Sequence, residues 1–276
     1  MLTMTIRAVG QTQQPPSPQS ATAPGQELFT KILRKAVALI RVGYTRDGAF
    51  MVAEGTCFFV LYEDKRLGET GGFGYLVTNC HVARPGIEDG KAYPVQGVSL
   101  RLNFRNSEQG SEEVVIAPNP LHWYFPQDDS ADLAILPLLP DQTKYDYMMI
   151  PMSIFATHDT VENRRISEGD SVLIEGYFYQ FPGLKKFQPI LREGILAMMP
   201  DEKMTTTLRK SGYLYLADLH VFGGNSGSPL FVNLGGLRNG NLEAGYDYRL
   251  LGIVSGYYHE DSDLNLYNCH YHNGKT

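Results

Sequence analysis

The 276-residue chain is 43% hydrophobic and 20% charged, an ordinary globular composition with length enough for one large core or two small ones. A net charge of −6 without a strongly basic window argues against a nucleic-acid surface, and no apolar run approaches the ~20 residues that would span a bilayer. Three cysteines, Cys57, Cys80 and Cys269, are too few for a disulfide framework.

Residues 1–10 lack the continuous apolar core of a signal peptide, and residues 11–26 are polar and Pro-rich, so 1–26 reads as a disordered tether. Such a tether is expected to follow a cleaved leader absent from this sequence, which points to a secreted or periplasmic protein, a cytoplasmic one remaining open. Apolar residues at 28, 29, 32 and 33 then predict a short amphipathic helix over 27–35. Strand patterns follow at 37–42, 52–61, 74–78, 98–104, 113–117 and 133–138, separated by turns containing Gly, Pro or Asp. The segment 141–168 is mixed and charged, a linker with a short helix. Strands resume at 171–179, 189–197, 212–216, 229–232 and 249–255. Low helix content and closely spaced turns predict an all-β fold of two small barrels, at 27–140 and 169–258, with a divergent or truncated tail at 259–276.

Three stretches carry chemistry. Gly223-Gly224-Asn225-Ser226-Gly227-Ser228-Pro229 is a glycine-rich turn with a serine at its tip, followed by the apolar Leu230-Phe231-Val232. Glycine lets the backbone bring its amides close to whatever meets that hydroxyl, as a nucleophile and its oxyanion site require; an ordinary hairpin turn has the same composition. Tyr75-Leu76-Val77-Thr78-Asn79-Cys80-His81-Val82 is an apolar strand ending at a histidine, the usual general base for a serine. In Asp129-Ser130-Ala131-Asp132-Leu133-Ala134-Ile135-Leu136, Asp132 stands at the entrance to an apolar strand, where a half-buried carboxylate must be paired; holding a histidine is one good way. Asp128 and Asp129 compete for that role from a polar loop. Cys57 and Cys80 lie on neighbouring strand candidates and either pair or remain thiols. Cys269 with His270 and His272 lacks a second ligand cluster, so neither a metal nor another cofactor is expected.

Together these stretches resemble the chymotrypsin/trypsin-like serine peptidases, in which histidine, aspartate and serine follow one another in this order. Four further segments support the resemblance over 36–258: Gly55-Thr56-Cys57-Phe58, Gly169-Asp170-Ser171-Val172, Arg192-Glu193-Gly194-Ile195 and Leu251-Gly252-Ile253-Val254-Ser255-Gly256-Tyr257. The resemblance implies a double six-stranded β-barrel with the site in the cleft between barrels. It implies Ser226 as nucleophile, His81 as base and then acid, Asp132 as orienter, and the amides of Gly224 and Ser226 as oxyanion hole. Ser255, Gly256 and Tyr257 would hold the substrate strand, and His220 would lie at the base of the specificity pocket, with preference leaning to apolar or small side chains. Asn225 stands where zymogen-activated members have an aspartate, so no such activation is expected, and Gly-Asn-Ser-Gly places the chain nearer the glutamyl-endopeptidase-like and HtrA-like bacterial branches. An α/β-hydrolase is excluded, because Ser228 replaces the second glycine of its elbow and no histidine-bearing α/β pattern follows. The expected function is a serine endopeptidase working through an acyl-enzyme on protein or peptide substrates. The alternative is a catalytically silent member acting as a peptide- or protein-binding module, which a probe for activated serine would distinguish.

Overall fold

The computed structural model describes residues 24–68, 71–116, 122–238, 241–243 and 245–257. Most of residues 1–26, the tail 259–276 and the group Cys269, His270 and His272 therefore lie outside the described residues. In chain order the elements are α1 (Pro24–Ala36), β1 (Val37–Arg46), β2 (Ala49–Glu63), β3 (Gly72–Thr78), α2 (Cys80–Ala83), β4 (Val95–Asn103), β5 (Ser111–Ile116), β6 (Ala134–Pro137), β7 (Ile150–Pro151) and α3 (His158–Asn163). They continue as β8 (Ser171–Gly176), β9 (Ile190–Met198), β10 (Lys203–Thr205), β11 (Ser211–Tyr213), β12 (Leu216–Asp218), β13 (Pro229–Asn233), β14 (Gly236–Arg238), β15 (Asn241–Glu243) and β16 (Tyr248–Ile253). The protein is mostly β with few helices, and no helix among the described residues is long and apolar enough to cross a membrane.

Two sheets dominate. The first has seven strands in the order β5-β4-β1-β2-β3-β6, with β7 parallel on β2; the second has five in the order β12-β9-β8-β13-β16. The long apolar run of β2 is explained by its two faces. Cys57 and Phe59 point into the first sheet's own core beside Ile40, Leu76 and Leu100, whereas Phe58 and Val60 point into a core shared with Leu173 and Phe231 of the second sheet. A third cluster, around Val172, Leu196 and Leu234, fills the second sheet. Helix α1 starts three residues inside the expected tether. It closes the shared core by burying Leu33 and Ala36 and by stacking Phe29 on Tyr248, with ring centroids 4.1 Å apart.

Two expectations are met only in part. Closed six-stranded barrels are not found, since no ladder among the described residues joins the outer edges of either sheet. The strand expected at 212–216 is divided into β11, which pairs with β10 in a separate ribbon, and β12, which pairs with β9. A side chain at Gly212 would lie 2.5 Å from the Ser130 hydroxyl, so the β10–β11 ribbon packs closely against the 128–132 loop. Cys57 and Cys80 are both free thiols. Cys57 faces the core of the first sheet and donates to the Ala38 carbonyl, whereas Cys80 begins α2. Burial pushes both thiols up, Cys80 to about 11, so neither is a thiolate near neutral pH.

One buried charge is left nearly uncompensated. Glu175 on β8 is 1% exposed, and its Oε1 accepts no hydrogen bond; the Arg34 guanidinium approaches only to 3.8 Å. Burial, partly offset by Arg34, raises this carboxyl to about 7. A raised acid favours folding while protonated, so its contribution is full below the ordinary value of 4.5 and is lost as pH rises through about 7. The urea-derived unfolding free energy should therefore fall between pH 5 and pH 8, by up to about 3 kcal/mol from this group. In Glu175→Gln that decline should be largely absent, and an unchanged decline would reject the assignment.

Candidate active site

Strand β3 ends at Thr78 and the chain turns at Asn79 into the single turn of α2, which carries His81. The first N–H groups of a helix lack intrahelical acceptors, and here the His81 amide finds one in Asp132 Oδ1 at 3.0 Å. The His81 ring meets the other carboxylate oxygen, with Nδ1 to Oδ2 at 2.7 Å. An ionised carboxylate only accepts, so the proton sits on Nδ1 and Nε2 is left as the basic nitrogen. The Asp132 side chain is 3% exposed and that of His81 is 21% exposed, so the acid is enclosed and the imidazole is partly open to solvent.

Asp132 has further partners. Ser255 Oγ donates to Oδ2 at 2.6 Å and is itself bonded to the Thr207 hydroxyl, and Asn79 Nδ2 donates to the Asp132 carbonyl at 2.8 Å. Burial alone would push this carboxyl up. Hydrogen bonds from the His81 ring, the Ser255 hydroxyl and the His81 amide outweigh burial and hold it below the usual carboxylate range. The rival acids are occupied elsewhere. Asp128 accepts from the amide and hydroxyl of Ser130, and the exposed Asp129 pairs with Lys210 at 3.0 Å.

Ser226 sits on the 222–228 turn that leads into β13. The Asn225 amide donates to the Phe222 carbonyl at 3.1 Å and Gly224 has φ +95°, the signature of a type II turn, where the third position requires a positive φ. Gly227 also has φ +88°, and a side chain there would fall 2.0 Å from the Thr56 carbonyl. Asn225 is 1% exposed and closes the turn from inside, accepting from the Phe222 amide at 2.9 Å and donating to the Tyr177 carbonyl at 3.0 Å. The amides of Gly224 and Ser226 have no acceptor among the described residues.

The turn and the histidine are brought together across β2. A side chain at Gly55 would lie 3.0 Å from Val82, the neighbour of His81, and 3.1 Å from the Ser226 carbonyl. Beside it, the Thr56 amide donates to the Ser226 carbonyl, the Thr56 hydroxyl donates to the Gly224 carbonyl, and the same hydroxyl accepts from the Tyr177 amide, each at 2.8 Å. No hydrogen bond joins the His81 ring to Ser226 among the described residues; such contacts commonly tighten only when substrate is bound.

The remaining candidates are spread around this centre. Ser255 is half-buried and donates to Asp132, a contact that its motif did not disclose. Gly256 and Tyr257 are exposed just beyond β16, and a side chain at Gly256 would strike Thr207 at 2.4 Å. His220 is exposed, two residues beyond the end of β12, and no described bond ties it to His81, Asp132 or Ser226. Thr56, Thr207, Asn79 and Tyr177 were not anticipated. Threonine and asparagine within a strand or turn carry no chemical motif, and only the tertiary contacts reveal their work.

A family model described as the trypsin-like peptidase domain matches residues 55–237. Among solved structures, the crystal structure of Deg5 is 15% identical, with 84% of this chain and 92% of that chain covered and a TM-score of 0.47. The crystal structure of the Rv3671c protease from M. tuberculosis in its active form is 17% identical, covering 90% of this chain and 89% of that chain with a TM-score of 0.44. No curated protein matches.

Thr56 supplies a direct test of how the turn is held. Thr56→Val keeps the shape but strands the buried Tyr177 amide and the Gly224 carbonyl, at a cost of about 1–3 kcal/mol for each buried group. Urea unfolding should show the loss, and Thr56→Ser should recover most of it. Equal stability of the valine variant and the wild type would refute the role given to this hydroxyl.

Proposed function

The chain belongs to the trypsin-like peptidase family, and from that premise we propose that it is a serine endopeptidase working through an acyl-enzyme, with Ser226, His81 and Asp132 as its triad. On this reading the Ser226 hydroxyl attacks the scissile carbonyl while His81 Nε2 takes its proton. The oxyanion accepts hydrogen bonds from the Gly224 and Ser226 amides. Collapse breaks the C–N bond, and the His81 proton passes to the leaving amine. Water, deprotonated by His81, then attacks the ester, and its collapse returns the proton to Ser226. Asp132 keeps the ring in the Nδ1–H tautomer and stabilises the imidazolium. Ser255, Gly256 and Tyr257, continuing past the last ladder residue, would hold the acyl side of a peptide as an added strand. The two sheets would then correspond to the two barrels of the family.

The observation that carries this reading is the His81–Asp132 pair, a nearly enclosed carboxylate bonded at 2.7 Å to a ring that is partly open to solvent. A structural ion pair has no need of a partly exposed imidazole, nor of a neighbouring glycine turn with two amides lacking acceptors.

A fluorophosphonate probe should label the wild type at Ser226, and labelling should vanish in Ser226→Ala. An unlabelled wild type would favour a silent binding module. Casein hydrolysis should fall by about 10⁴ in Asp132→Asn, because the amide favours the wrong imidazole tautomer. Asp129→Asn should be nearly silent, since it removes only an exposed pair with Lys210. The opposite ranking in initial-rate assays would move the orienting role to Asp129.

A further inference from the structure

We propose that an exposed aromatic lip formed by Phe178, Tyr179 and Phe222 grips a large apolar side chain on the leaving-group side of the substrate, an inference that rests on the peptidase reading above. The two flanks of the 222–228 turn differ in what holds them. On one flank Gly227 and Ser228 exchange backbone hydrogen bonds with Val254, immediately before the residues assigned to the acyl side. On the other, Ser226 and Gly224 are held by Thr56, and Asn225 is held by Tyr177. On that reading, a peptide whose acyl portion runs along 255–257 sends its leaving portion past the opposite side of the turn, the side held from within by the buried Thr56 and Tyr177. Directly beyond Tyr177 the chain presents the lip.

The lip is built and not incidental. Tyr177 is buried, and its ring would collide with any side chain at Gly224, so the loop begins from a fixed point at the turn. The Phe181 amide donates to the Phe178 carbonyl at 3.0 Å, closing a tight turn that sets both intervening residues. The Phe178 ring lies 6.3 Å from that of Phe222 and 6.2 Å from that of Tyr179, both near edge-to-face, while Tyr179 is 52% and Phe222 44% exposed. The Arg192 guanidinium covers one face of Phe222 at 4.8 Å. Aromatic rings clustered at the surface beside the 222–228 turn mark a place where apolar surface is received. The charge nearest the lip is that Arg192 guanidinium, which lies on an aromatic face, whereas Arg41, Glu54 and Glu113 are paired with one another and Tyr177 donates its hydroxyl to Glu54. The lip therefore selects by apolar area, which fits Phe, Tyr, Leu or Met in the leaving peptide.

The test is a digest of denatured casein by the full chain, with cleavage sites mapped by mass spectrometry and rates normalised to fluorophosphonate-labelled sites. Large apolar residues should be enriched about tenfold in the first two positions after the cut, the discrimination expected for one aromatic contact. The enrichment should fall towards background in Phe178→Ser/Tyr179→Ser and in Tyr179→Ser alone, which touches only an exposed ring, and should persist in Tyr179→Phe. A flat wild-type profile, or one unchanged in the serine variants, overturns the inference while leaving the peptidase reading intact. A double variant that keeps the cleavage profile but sediments as a smaller species assigns the lip to contact between two copies, and also overturns it. A wild type that neither labels nor cleaves defeats the peptidase reading itself, and the inference with it.

Discussion

Thr56 joins the two halves of this protein, and the candidate site depends on that junction. It is fully buried on β2, and every polar group it owns is engaged. Its amide holds Ser226, its hydroxyl spans Gly224 and Tyr177, and its carbonyl accepts from Thr78 at 2.8 Å. Thr78 closes the strand that delivers His81. One residue of the first sheet thus ties together the histidine's strand, the serine's turn and the first residue of the aromatic loop. Buried polar groups are costly unless every one is satisfied, so this network admits few alternative arrangements and specifies the relative placement of the two sheets.

The same logic explains the contrast between the two buried acids. Asp132 and Glu175 both lose hydration, which by itself would raise each. Asp132 receives three hydrogen bonds to its carboxylate and is held below the usual range; Glu175 has only a distant guanidinium and is driven up to about 7. Enclosure does not decide the charge state of a carboxyl; the donors supplied to it do. At Asp132 those donors include the imidazole whose orientation the chemistry needs and a serine from the far sheet. The electrostatics of the site is therefore also a contact between the halves.

Much of this was legible along the chain. Period-two apolar patterns and turn residues located most strands to within a few residues, because a strand buried on one or both faces must show its burial in composition. The run at 52–61 is continuous because β2 is shared by two cores, Phe58 and Val60 facing one, Cys57 and Phe59 the other. The short strands β7, β10, β14 and β15 left no such pattern, since two or three residues are too few to show a period. The 212–216 segment read as one strand although its halves pair with different partners, and pairing is a long-range choice that local composition does not encode. The two thiols could have been a bridge on spacing alone; only the placement of Cys57 in the sheet interior shows otherwise.

His81, Asp132 and Ser226 stood out in the sequence because each breaks a local pattern. A histidine ends an apolar strand, an acid opens another, and a serine rises among glycines whose backbone angles other residues resist. Local chemistry of that kind is written in residue order, and so were the strands that present it. Residue order could not express which serine would share Asp132 with the imidazole, which threonine would rivet the turn, or whether the sheets would close on themselves. Those outcomes depend on groups far apart in the chain meeting at hydrogen-bond distance, and only the packed tertiary structure brings them there.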